Sequence, residues 1–214
     1  MKIRLDLPEI AGDFIRHART ETLKSVDETP TPPAVEPSPF GFYFIAYDEE
    51  DGNRPIALAE SAFYDQVYPS FADSPYPASL NLDQFCPFEE MAGVRTIYVE
   101  PDCRHRSASL YLQLILAGAQ TFWELGARYV TATTNADNAY LNRLYAKTGG
   151  HALNTFRGKE FGECEVAPWV FHIDNLRQLN LMKRAALGMK FEIDLQIAHT
   201  LRARTRWNQS LEAA

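Results

Sequence analysis

Apolar and polar positions alternate over residues 2–7 and then change to a helical period, with Ile10, Phe14, Ile15 and Ala18 recurring after Pro8-Glu9. The change predicts a short strand followed by a helix over 8–24. Residues 40–47 are aromatic and β-prone, 48–53 are turn material, and 56–64 are β-prone again, which predicts a hairpin. A strand over 93–100, an apolar helix over 107–125 stopped by Gly126 and a β-branched run over 129–135 read together as a right-handed β-α-β crossover. A short helix over 138–148 closes on Gly149-Gly150, and residues 152–157 and 164–173 read as a final strand pair around a turn at 158–162. From 175 to 214, Leu176, Leu179, Leu187, Leu195, Ala198 and Leu201 keep a helical spacing broken at Gly188, the pattern of two amphipathic helices.

Two stretches depart from these periods. Residues 27–39 hold five prolines, which predicts an extended loop, and 65–92 form a long segment with Tyr68, Phe71, Tyr76, Phe85 and Phe88, too long for a plain connection in a compact domain. At 214 residues and 46% hydrophobic, the chain suits one domain over 1–174 carrying a helical extension over 175–214. No apolar run reaches the roughly 18 residues of a membrane span, and the first residues lack the apolar core of a secretory signal, so a soluble, cytoplasmic protein is expected. Cys86, Cys103 and Cys164 have neither metal-ligand nor disulfide-framework spacing, so no metal is expected.

Charge is distributed unevenly within a net of −7. Between residues 25 and 103 there are 15 Asp and Glu against Arg54 and Arg95 alone, whereas from 175 onward seven Lys and Arg face Glu192, Asp194 and Glu212. The acidic stretch reads either as a solvated surface or as a mouth that draws in a cationic partner. Nucleic acid is disfavoured because most of the chain repels phosphate, the basic tail with Trp207 being the sole exception.

The chemistry concentrates between residues 94 and 150. A turn at 104–109 lies between a strand and a helix, where backbone N–H groups converge at the positive end of a helix dipole and suit a phosphate. The residues there are Val99, Pro101, Arg104, Ser107 and Ser109, followed later by Asn138, Leu141, Tyr145 and Gly149. This set resembles the two acyl-CoA-binding motifs of the Gcn5-related N-acetyltransferase (GNAT) superfamily, over roughly residues 40–173 and most specifically over 94–150. The resemblance implies an α/β (α+β) fold: a mixed, mostly antiparallel central sheet with a β-α-β acyl-CoA-binding core, plus the C-terminal helices. It implies acetyl-CoA or another acyl-CoA as co-substrate. The pantetheine arm would lie on the backbone of Ile97, Tyr98 and Val99, beside a diverging strand over 131–135, and the pyrophosphate on Arg104, His105, Arg106, Ser107, Ala108 and Ser109. Serines 107 and 109 stand where the family has glycine; they are small, and their hydroxyls can donate to phosphate.

By the same resemblance Tyr145 protonates the departing thiolate and Asn138 positions the pantetheine arm. A phenol with a pKa of ~10 stays protonated at neutral pH and suits that task. The acceptor amine must lose a proton, and Glu60 and Glu100 are the leading bases, ahead of Glu90, His151 and His172. The expected activity is N-acetyl transfer to a small-molecule or peptide amine, cationic if the acidic stretch faces it, in a ternary complex. Two alternatives stand beside it. One is long-chain acyl transfer, as in N-acyl amino acid and acyl-homoserine lactone synthases, and the other is a non-catalytic GNAT-like binding module. A homodimer is compatible with any of them, and no membrane partner is expected.

Overall fold

Residues 1–26, 37–157, 164–176 and 190–204 are described by a computed structural model. The proline-rich stretch 27–36, the turn at 158–163 and two parts of the C-terminal extension, 177–189 and 205–214, lie outside the described residues, as do the side chains of 23–26, 106–108 and 190. Along the chain run β1 (Lys2–Asp6), α1 (Pro8–Val26), β2 (Phe42–Asp48), β3 (Arg54–Phe63), α2 (Tyr64–Val67) and β4 (Met91–Val99). There follow α3 (Ser107–Glu124), β5 (Tyr129–Asn135), α4 (Ala139–Lys147), β6 (His151–Ala152), β7 (Phe156–Arg157), β8 (Glu165–His172), β9 (Lys190–Glu192) and α5 (Leu195–Ala203). Short 3-10 turns fill most of the connection between α2 and β4, and another spans Pro101–Arg106.

The described strands form one sheet in the order β6-β8-β5-β4-β3-β2-β1-β9, with β7 also on β8. Only β4 with β5 and β1 with β9 are parallel; the other pairs are antiparallel. The sheet is thus mixed and mostly antiparallel, built round the expected β4-α3-β5 crossover.

The period-two pattern of β2 explains how the sheet is covered. Phe42, Phe44 and Ala46 point to the α3 face, where they join Leu110, Leu114, Ala117 and Phe122 in the largest core cluster. Tyr43 and Ile45 point to the opposite face and meet Ile15 and Ala18 of α1, with Leu58 and Tyr98. Phe122 anchors the first layer, edge-on to Phe42 at 5.1 Å and to Phe63 at 5.2 Å between ring centroids. Such rings contribute roughly 0.5–1.5 kcal/mol per pair beyond their burial.

Three elements depart from the sequence pattern. Ile10 is 67% exposed although it shares the helical spacing of Phe14 and Ile15, because the backbone of Ala11 is non-helical (φ −106°, ψ 16°) and turns the first residues of α1 off the core. Residues 190–192, read as helix, form β9 and extend the sheet beside β1, with Phe191 packed on the main core. The 65–92 segment is not a loose loop: its Tyr76, Leu80, Leu82, Cys86 and Met91 form a second core cluster with Tyr64 and with Val170 of β8. No helix among the described residues is long and apolar enough to cross a membrane.

Candidate active site

The site begins where two parallel strands part. β4 and β5 pair only at Met91–Gly93 with Tyr129–Thr131, after which β4 runs on to Val99 and β5 to Asn135 without further pairing to each other. Each is committed on its other side. β8 holds the whole of β5, and β3 holds β4 through a register shift in which Glu60 faces Thr96 and Ser61 faces Val94, leaving Arg95 as the inserted residue. A bulge of this kind bends its strand and re-aims a side chain. A cavity of about 630 Å³ fills the resulting splay, within the ~300–1,000 Å³ usual for small-molecule sites.

Gly93 stands at the apex of the splay and lines the cavity. A Cβ there would approach Thr131 Oγ1 and Tyr64 Cε2 to 3.1 Å each. The neighbours it would meet are tied together, since the Tyr64 hydroxyl and Thr131 Oγ1 share a hydrogen bond of 2.9 Å. Gly93→Val is therefore expected to narrow the apex, costing roughly 1–3 kcal/mol of stability from overpacking. Thermal denaturation checks this, and an unchanged melting temperature would show that Tyr64 and Thr131 give way.

The aromatic segment walls one side of the cavity through Phe63, Tyr64, Val67, Tyr68 and Tyr76. Tyr64 and Tyr76 stack at 6.2 Å, and burial pushes the phenols of both upward, so both stay neutral. This wall is anchored to α5. Gln66 Nε2 donates to the carbonyls of Leu201 and Arg204 at 2.7 Å each, satisfying acceptors left open at a helix C-terminus. Arg202 makes a two-pronged pair with Asp65 at 2.9 Å and lies 3.9 Å over the Phe63 ring.

Tyr145 lies behind the cavity rather than on it. Its side chain is 1% exposed, edge-on to Trp169 and Phe171, and its hydroxyl is 2.7 Å from that of Tyr111. Tyr111, one turn into α3, lines the cavity. Burial pushes the phenols of both residues upward. Asn138 is the exposed N-cap of α4, its side chain accepting from the Leu141 N–H at 3.0 Å. Asn142 is the asparagine that ties α4 to β5 and β8. It accepts from Thr134 Oγ1 at 2.6 Å and Trp169 Nε1 at 3.1 Å and donates to the Ala136 carbonyl at 2.9 Å.

The two favoured carboxylates part company. Glu60 faces α1 from β3, lines the cavity and is 1% exposed, with Arg19 Nε at 3.4 Å and Arg95 Nη1 at 3.5 Å. Neither of its oxygens has a hydrogen-bond partner among the described residues. Across the strand pair, Tyr43 sits opposite Glu60, and burial first and then the Glu60 charge raise its phenol. Glu100 does not line the cavity; it accepts from the Tyr98 hydroxyl at 3.1 Å and sits 3.4 Å from His17 Nε2. Glu90 pairs with Arg128, and His151 and His172 pack against Phe85 and Tyr129, all away from the cavity lining.

Of the residues expected to carry the pantetheine arm, Ile97 lines the cavity, Tyr98 turns its ring to the α1 face beside His17, and Val99 packs at the edge of the main core. The turn at Pro101–Arg106 and the start of α3 lie at the far end of the splay. Arg54 clamps that turn to the β2–β3 connection, bonding Asp51 at 2.7 Å and Asp102 at 2.8 Å and holding the Asp102 carboxyl below the usual carboxylate range. Arg104 and His105 are exposed there, and the backbone of Arg106, Ser107 and Ala108 leads into α3. Ser109 Oγ accepts from Gln113 Nε2 at 2.6 Å, which leaves its own hydroxyl proton free to donate. Burial and then Asp102 raise the Cys103 thiol.

The acidic mouth does not materialise at this cavity. Glu49, Glu50 and Asp51 occupy the exposed turn between β2 and β3, and Glu60 is the one carboxylate among the described residues that lines it. Tyr111, Arg19 and Arg95 are the lining residues that sequence reasoning misses. Their signals are faint: a single phenol in an apolar helix, and two arginines with no local motif.

No protein-family model and no curated protein matches the sequence. Solved structures do match the fold. The acyl-homoserine lactone synthase BjaI, solved with MTA, superposes with a TM-score of 0.59 at 17% identity over 93% of this chain and 99% of that one. The N-acetyltransferase of Staphylococcus aureus Mu50 gives 0.54 at 14% identity over 80% and 97%. The yncA protein of Salmonella typhimurium, described as an acetyltransferase and solved with its cofactor acetyl-CoA, gives 0.57 at 12% identity over 81% and 94%.

Proposed function

We propose that this chain, which has the fold of the Gcn5-related N-acetyltransferases, is an N-acyltransferase that moves an acyl group from acyl-CoA to an amine. The observation that carries the reading is the splay of β4 from β5 beyond Gly93, which opens a cavity lined by tyrosines, Tyr111 of α3 among them, and by a buried carboxylate. The N-terminus of α3, with Arg104 beside it, receives the coenzyme pyrophosphate, the hydroxyl of Ser109 adding a donor. The backbone of Ile97 to Val99, freed on the β5 side, takes the pantetheine arm.

Holding both substrates makes the transfer intramolecular and leaves orientation and proton movement to the protein. Glu60 accepts a proton from the acceptor ammonium; the amine nitrogen then bonds to the acyl carbon, the carbon–sulfur bond breaks, and the nitrogen's second proton passes to solvent as the amide forms. Tyr111, the phenol that α3 places on the cavity, donates its proton to the departing thiolate and regains one from solvent as products leave. Tyr145, 2.7 Å behind it, orients the Tyr111 hydroxyl through the shared hydrogen bond.

An acyl chain longer than acetyl is favoured by the cavity's volume and aromatic wall. It is supported too by the likeness to BjaI, which spans 93% of this chain and which has also been solved with SAM and isopentyl-CoA. A series of acyl-CoAs of increasing length, followed by free-thiol release, tests the transfer itself.

Coenzyme binding is tested separately. A ligand at one hundred times its dissociation constant stabilises by ~2.7 kcal/mol, so acyl-CoA should raise the melting temperature. Arg104→Ala should weaken binding by roughly 1.5–3 kcal/mol, the worth of a charge-assisted bond, with little change in the melting temperature of the free protein because Arg104 is exposed. Unchanged affinity would remove the turn from coenzyme binding, and no thermal shift at millimolar acyl-CoA would favour a non-catalytic module.

A further inference from the structure

Acyl transfer leaves α5 without a task, yet α5 grips the aromatic wall of the cavity. Its own seat is firm: Ala198 and Leu201 are buried in the main core, and Arg204 reaches Glu9 of α1 at 3.5 Å and the Pro39 carbonyl at 3.3 Å. From that seat Arg202 makes its two-pronged bond to Asp65 and donates at 3.3 Å to the Glu89 carbonyl, so one guanidinium ties the segment 65–92 near both of its ends. The same group lies over the ring of Phe63, which lines the cavity. Gln66 Nε2 adds the Arg202 carbonyl at 3.2 Å to its two shorter bonds, so three carbonyls of the α5 end share one amide nitrogen.

We propose that α5 sets which acyl groups the cavity admits, with Arg202 and Gln66 as positioning residues that fix the wall from Phe63 to Tyr68. The inference rests on the acyltransferase reading. α2, the element that carries this wall, is a single turn of four residues, and no side chain caps its start. One turn does not hold its own conformation in water, so the wall stands where tertiary contacts put it. Those contacts divide by face. Phe63, Tyr64, Val67 and Tyr68, spaced as one side of a helical turn, line the cavity, and the Tyr64 hydroxyl is bonded to Thr131 there. Asp65 and Gln66 do not line it, and both are bonded to α5.

The cost of the arrangement points the same way. Gln66 is fully buried, and its Oε1 has no hydrogen-bond partner among the described residues. A buried acceptor left unpaired is costly, and the place is nonetheless held by an amide that reaches α5. The gain lies in rigidity. A wall that yields takes a longer chain with little penalty, whereas a wall held from behind rejects it, and one methylene in a fixed apolar pocket is worth ~10–200-fold. The fork of Arg202 suits this holding task, since its two parallel bonds fix the angle of Asp65 as well as its distance.

The test measures the affinity of free CoA and of a straight-chain series from acetyl- to dodecanoyl-CoA, by isothermal titration well below the melting temperature. The wild-type protein is expected to bind one length best and the next longer one ~10-fold or more weaker. Arg202→Met keeps an unbranched chain beside the Phe63 ring and loses the fork; it is expected to bring that ratio within about threefold. Arg202→Lys, which keeps a cation without the two-pronged bond, should fall between the two. Asp65→Asn removes the other partner and should repeat the flattened profile, so that one variant failing to fold does not decide the matter. A merely structural role would lower the melting temperature and leave the ratio as in wild type, and that result overturns the proposal. So does a wild-type protein that binds every acyl length equally. The expected profiles without thiol release to any amine would sustain the role of α5 and overturn the transfer reading, whereas no binding of CoA or of any acyl-CoA would end both.

Discussion

Tyr111→Phe is expected to lower kcat by ~10²–10⁴-fold, the range of a general acid, while the Michaelis constants of both substrates move little. The substitution keeps the ring, which is packed at the margin of the main core, and removes only the hydroxyl of this cavity-lining residue. Tyr145→Phe removes the hydroxyl behind it and should cost less, about tenfold, because Tyr111 keeps its own proton and loses only the hydrogen-bond partner that orients it. The order of the two effects is the informative part. A larger loss at Tyr145 than at Tyr111 would return the acid to α4 and reduce Tyr111 to a support.

The pH profile gives an independent reading of the same pair. Burial raises both phenols above the ordinary value of ~10, and a raised acid remains protonated to higher pH. The wild-type kcat should therefore show no falling limb from this pair up to about pH 10, whereas an exposed phenol would begin to lose its proton there. A falling limb near pH 9 that vanishes in Tyr111→Phe would mean a lowered phenol, opposite in sign to the one the surroundings impose.

Much of this arrangement is legible in the sequence because it is local. The switch from a β-branched strand to a polar turn and an apolar helix sets β4-α3-β5, and Gly126 at φ 92° and Gly149 at φ 84° end their helices as the sequence pattern expects. The diverging strands follow from the same motif. What is not legible depends on which residues meet across the fold. Tyr145 has the motif's spacing, but Trp169 and Phe171 of β8 bury it, and Tyr111 takes the place on the cavity. Arg19 and Arg95 lie 76 positions apart in the sequence and meet only because α1 covers the face of β3 and β4 on which Glu60 sits. β9 is short, and three residues beside a break carry too little periodicity to separate strand from helix.

Glu60→Gln is the other substitution of large expected effect, because Glu60 is asked to do two things. As the proton acceptor for the amine, its loss should lower kcat by ~10²–10⁴-fold at saturating acceptor. As the counter-ion between Arg19 and Arg95, its neutralisation leaves two guanidinium groups facing an uncharged amide. Breaking a buried pair costs ~3–5 kcal/mol, but Arg95 keeps about a third of its surface in water, so a loss of roughly 1–3 kcal/mol is expected here. The two effects separate experimentally. The kinetic loss is measured well below the variant's melting temperature, where added salt, which screens the arginine repulsion and restores part of the stability, should not restore turnover. Acyl-CoA affinity is a control, since the turn at Pro101–Arg106 proposed for the coenzyme is remote in sequence from Glu60 and does not line the cavity beside it. A stable variant that turns over within threefold of wild type would take the proton from Glu60 and leave it the single task of holding two arginines apart.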